Sequence, residues 1–70
     1  MNPIVLVRIS PSAVENPGEV IHSCGQEEFT RIPTKGEFIT LLAKPRRTYK
    51  VDAVIHTPNH GVEIVVSRFL

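Results

Sequence analysis

Six prolines, at positions 3, 11, 17, 33, 45 and 58, punctuate a chain of only 70 residues. Each removes a backbone N–H donor and clashes with the preceding helical turn, so few windows are long enough for a stable helix. The residues between them favour extended backbone. Val supplies nine and Ile seven, against seven for Leu and Ala together, and five Thr add to the β-branched total. Such side chains lose χ1 freedom on a helix but pack well on a pleated surface. An all-β fold is the expectation.

The length allows one core, so residues 1–70 are read as a single small β domain. A domain of this size buries only about 60% of the surface its unfolded chain exposes. It therefore gains from a ligand, a metal or a second subunit. Cys24 is the single cysteine, which rules out an intrachain disulfide. The longest apolar run, residues 4–7, is far short of the roughly 20 residues that a membrane helix needs. The opening Met-Asn-Pro-Ile has neither the basic segment nor the apolar stretch of a signal peptide. No membrane partner is expected, and a cytoplasmic location is.

Turn-forming residues divide the chain into strand-length pieces. Residues 4–9 form an almost wholly apolar run suited to a strand covered on both faces. Asn16-Pro17-Gly18 reads as a tight turn, with Pro fixing φ and Gly accepting φ > 0. Residues 19–23 follow as a strand ended by Cys24-Gly25, and residues 29–32 as a short extended piece stopped by Pro33. Pro33-Thr34-Lys35-Gly36 is a second turn, 37–42 a strand and 43–47 a basic loop. Residues 49–56 and 62–69 form the last strand pair around a five-residue loop, 57–61. Val62, Ile64 and Val66 share one face, and Tyr49, Val51, Ala53 and Ile55 form a stripe on the partner. Val54 breaks that alternation, which predicts a β-bulge near Asp52-Ala53. Ser12 and Glu15 carry capping-box spacing, so residues 12–16 offer one short helical turn as an alternative. Five to six short strands are best accommodated by a curled, partly open barrel, because a flat meander would expose its edges.

From Arg31 onward the chain resembles small uncharacterised β-barrel proteins of phages and other mobile elements. The residues that carry the likeness are Arg31-Ile32-Pro33, Gly36-Glu37, Ile39, Leu41, Tyr49, Val51, Val54 and His56, with the closing strand 62–69. The resemblance implies an SH3-like or related barrel and a bacterial host cell. It implies no particular function, since such barrels serve many partners.

The net charge of +1 hides an uneven distribution. Residues 1–30 carry Arg8 against Glu15, Glu19, Glu27 and Glu28, whereas 31–70 hold seven basic residues against Glu37, Asp52 and Glu63. The opposed halves favour a homo-oligomer in which the acidic part of one copy meets the basic part of another. Lys44, Arg46, Arg47 and Lys50 surround Tyr49, and with His60 they are the candidate binding residues. Arginine forks suit phosphate oxygens, and an aromatic face accepts a base.

Catalysis finds little support. Glu27 and Glu28 are adjacent, so on a strand they diverge, and no glycine-rich phosphate loop is present. Cys24 has His22 nearby but no orienting acid or oxyanion donors. His22, Cys24, His56 and His60 are zinc-type ligands, but a His-x₃-His pair across a hairpin loop lacks the helical turn such pairs use. The expectation is no enzyme, no cofactor and no metal. The chain reads as a binding module for a host protein or a small anionic, nucleotide-like ligand. A nucleic-acid-binding barrel and a structural assembly component are the alternatives.

Overall fold

The computed structural model describes residues 4–25, 28–29, 31–41 and 46–69. Five strands are seen among them: β1 (Ile4–Ile9), β2 (Val20–Gly25), β3 (Phe38–Leu41), β4 (Arg47–Thr57) and β5 (Gly61–Arg68). They make one sheet in the order β2-β1-β5-β4-β3, curled into a half-barrel. The all-β, partly open barrel expected from composition is what forms. None of the described residues lies in a helix long and apolar enough to cross a membrane.

The core lies on one face of this sheet. Val5, Val7 and Ile9 of β1 alternate with exposed Ile4 and half-buried Leu6 and Arg8. Val62, Ile64 and Val66 of β5, Tyr49 and Val51 of β4, and Cys24 of β2 complete the buried set. Most of these side chains are β-branched and short, so the core is shallow. β1 is therefore flanked by strands on both edges but covered on one face, not two. Its neighbours are β2, antiparallel, and β5, parallel, with Ile4 opposite Gly61 and Ile9 opposite Val66.

The expected bulge is present. Between Val51 and Ala53 the register of β4 on β5 shifts, so that Val51 opposes Val66 while Val54 opposes Ile64. The extra residue flips the alternation. Val54 packs against the core and Ile55, placed on the apolar stripe by simple alternation, stands 47% exposed. The bulge also increases local twist, which helps an eleven-residue strand to curl.

Three turns use the same device, a hydrogen bond from residue i+3 to residue i with a positive φ at i+2. They are Asn16–Glu19 with Gly18 at φ 76°, Thr34–Glu37 with Gly36 at 93°, and Thr57–His60 with Asn59 at 66°. The second begins one residue later than expected. β2 also runs on through Cys24-Gly25, where the sequence suggested a stop, and β3 is shorter than residues 37–42. Phe29, Arg31 and Ile32, the described residues of the piece at 29–32, are not in a strand: Phe29 and Ile32 pack against the core, and Pro33 is buried. The helical turn at 12–16 does not form either. Ser10 takes that role from Ser12, because its carbonyl accepts from Ala13 N–H (3.0 Å) and its hydroxyl from Ser12 N–H (3.2 Å). Glu15 turns away to Arg68.

Gly61 marks the tightest approach among the described glycines with positive φ. It sits at φ 144°, and a Cβ there would lie 2.0 Å from the Ile4 carbonyl oxygen. Gly18 is also left-handed but faces open space. Gly61→Ala is thus expected to cost roughly 3 kcal/mol, a large part of a small domain's stability. Gly18→Ala should cost about 1 kcal/mol. Urea denaturation of the two variants checks the order; equal midpoints would contradict the close β1–β5 contact.

Candidate functional site

The period of two along β4 decides how the basic segment is displayed. Arg47, Tyr49 and Val51 alternate on the core side, and Tyr49 is buried at 7% exposure. Lys50 points to the outer face, where it lies in register with Phe38 of β3 and Ser67 of β5. Tyr49 and Lys50 therefore sit on opposite faces, and the expected grouping of this ring with the whole cationic cluster does not form. Arg46 is exposed just ahead of β4, and Arg47 is exposed at its start. Lys44 lies outside the described residues. His60 is in the exposed hairpin loop at the far end of β4, about 33 Å from Arg47 along the strand. It cannot share a small ligand with the arginines.

Another pair of rings occupies the outer face. Phe38 and Phe69 meet edge to face, with centroids 4.9 Å apart and planes at 71°. Each is about half exposed, at 53% and 52%. Phe69 is fixed by its N–H to the Thr48 carbonyl (3.2 Å), and Phe38 by the β3–β4 ladder. Beside them Thr40 and Thr48 share a hydroxyl–hydroxyl hydrogen bond of 2.9 Å. The surface thus combines two accessible rings, two hydroxyls and Lys50, with Arg46 and Arg47 at the adjoining strand end. Among the described residues, no ion pair engages Arg46, Arg47 or Lys50. The pairing of the phenylalanines is not visible in the sequence because they lie 31 positions apart. Their one visible signal was that each sits at a strand end where an apolar residue has little to bury.

Tyr49 instead borders a cavity of about 430 Å³ on the core side, beneath the loop that joins β1 to β2. Ile9, Ala13 and Ile21 make its apolar wall, and Glu15, Glu19 and Arg68 its rim. Glu15 reaches across to Arg68 at 3.1 Å. Two carboxylates against one guanidinium make this hollow unfavourable for an anion, unlike the outer face.

Arg31, next to Phe38 along a shallow groove, is engaged within the chain. Its guanidinium forks onto the Glu37 carboxylate, which also accepts from Thr34 N–H (2.6 Å) and Thr34 Oγ1 (3.1 Å). Gly36 N–H to the Val51 carbonyl and Val51 N–H to the Glu37 carbonyl, both 2.8 Å, pin this unit to β4 beside the bulge. Arg31-Ile32-Pro33 and Gly36-Glu37 thus build a turn.

No protein-family model, curated protein or solved structure matches the chain.

The Arg31 hydrogen bonds, followed by that from Thr34 N–H, hold the Glu37 carboxyl at about 2, below its ordinary 4.5. A depressed carboxyl stabilises the fold above its unfolded pKa. That contribution should be complete above about pH 4.5 and fade as pH falls toward 2. An NMR titration of the Glu37 side-chain carbon should give the low midpoint, and Arg31→Ala should return it toward 4.5. A midpoint of 4.5 in the unmodified chain would contradict the pairing.

Proposed function

We propose that the protein is a non-enzymatic binding module whose outer β3–β4–β5 surface takes a ligand combining a flat ring with phosphate. That chemistry is common to a nucleotide and a short single-stranded nucleic acid. The observation that carries the reading is the half-exposed Phe38–Phe69 pair, with Lys50 in register with Phe38 and with Arg46 and Arg47 at the adjoining strand end. An exposed aromatic pair on a sheet face is costly to leave in water, and each ring offers a stacking surface worth about 1–3 kcal/mol per base. The cations would meet the phosphates, and the Thr40 and Thr48 hydroxyls would supply polar contacts at the edge of the stack. With two or three phosphate contacts, binding to a strand should fall with salt at a log–log slope of roughly −2.

The test is fluorescence anisotropy with a labelled oligothymidylate, competed by a nucleoside triphosphate, across a salt series. Phe38→Ala should weaken binding about 5- to 150-fold. Lys50→Ala should also flatten the salt slope by about 0.7. His60→Ala, at the far end of the hairpin, should leave both unchanged. Competition by the triphosphate at equal affinity would identify a mononucleotide site, and affinity rising with oligomer length a strand site. Binding unaffected by Phe38→Ala and Lys50→Ala, or no binding of either probe, would overturn the reading.

A further inference from the structure

The opposite edge of the sheet holds a second convergence of side chains. His22 and Cys24 are two residues apart on β2, so both project from the same face. The register of β2 on β1 fixes that face as the inner one: Cys24 opposes buried Val5, and His22 opposes buried Val7. Exposed Glu28 joins them. The ligating atoms of the three side chains, a sulfur, a ring nitrogen and a carboxylate oxygen, all lie within 4.8 Å of one another. No other group of three such donors occurs among the described residues, and neither His56 nor His60 belongs to this one.

We propose that His22, Cys24 and Glu28 form a zinc site, contrary to the expectation from spacing alone. Bond lengths of about 2.0–2.3 Å place donors in a tetrahedral zinc site about 3.3–3.6 Å apart. The observed spread needs a contraction of about an ångström, within reach of side-chain rotation at a strand edge. The donor set also selects the metal. A thiolate beside an imidazole disfavours calcium and magnesium, which take oxygen ligands, and a carboxylate disfavours copper(I). Zinc accepts all three donor types and leaves a fourth position for water.

The position gives such an ion a structural effect. β2 is an edge strand, paired with β1 alone among the described residues, and Phe29, next to Glu28, packs against the core. A metal bridging β2 to Glu28 would pin the segment after β2 onto the open side of the half-barrel. For a small domain with a shallow core, binding of this kind is stability. The site lies at the other end of the strand order from Phe38 and Lys50, so its test is independent of the ligand surface.

The experiment titrates the metal-free, full-length reduced chain with Co²⁺ and then displaces it with Zn²⁺. One equivalent of Co²⁺ should give tetrahedral d–d bands with a thiolate charge-transfer band, both lost on adding zinc. Zinc at a 100-fold excess over its Kd should raise the thermal midpoint by about 10–20 °C. His22→Gln and Glu28→Gln should each weaken zinc by more than the roughly 10–100-fold that loss of a supporting outer-shell contact costs. His56→Ala and His60→Ala should have no effect. Cys24→Ser alters a core position, so it is read for loss of the charge-transfer band only if its circular dichroism is native. The two surface variants decide the matter otherwise. Absence of the thiolate band, substoichiometric zinc, or affinity unchanged in either His22→Gln or Glu28→Gln would overturn the assignment.

Discussion

The parallel pairing of β1 with β5 is the seam on which this sheet depends. The β1–β2 hairpin and the β3–β4–β5 meander are each local arrangements, and only this ladder joins them. It brings Ile4 against Gly61 and Val7 against Ile64, and it aligns the two most apolar stripes of the chain on one face. The ladder continues past the strand, where Ser10 N–H reaches the Val66 carbonyl at 2.8 Å. On the outer face Arg8 ties the same elements, donating to Glu63 and to the Gly18 carbonyl, each at 3.1 Å. Without the seam neither half has a second layer to bury its apolar face. Two short antiparallel units of this size are marginal by themselves.

The same one-sided arrangement explains where binding chemistry collects. A half-barrel covers its concave face with its own small side chains and leaves the convex face to solvent. Phe38 cannot turn inward without breaking the alternation that packs Ile39 and Leu41 against the core, and Phe69 follows the phase that buries Val62, Ile64 and Val66, so the two rings cover one another instead. Lys50 lies beside them for the same reason, since its neighbours Tyr49 and Val51 occupy the inner face. The two rings and Lys50 thereby share one surface, while Glu15 and Glu19 of the loop between β1 and β2 line the hollow on the other side.

Much of the architecture was legible because it depends on local rules. The β-branched composition, the turn signals Pro17-Gly18 and Lys35-Gly36, and the broken alternation at Val54 point to short strands, tight turns and a bulge. All are present. The misreadings share a cause. Ser12 and Glu15 carry a capping signal, yet Ser10 and Arg68 capture the groups involved. Residues 29–32 look extended, yet Phe29 and Ile32 pack on the core outside any strand. In each case a tertiary partner outweighed a local preference worth only a fraction of a kcal/mol to about one.

The binding residues follow the same division. The basic residues around Tyr49 were visible as a cluster, because charge density is a property of neighbours in sequence. Their distribution over two faces was not, because it depends on the strand phase that the bulge and the β5 register impose on β4. Nor was the meeting of Phe38 with Phe69, or of Glu28 with His22 and Cys24, since each requires the chain to return from elsewhere. By itself, the sequence determined the element type, the turns and the existence of one small apolar core. Those are set by backbone sterics and side-chain branching, residue by residue. The tertiary structure alone decided which side chains share a surface, because long-range pairing fixes that register and no local interaction encodes it.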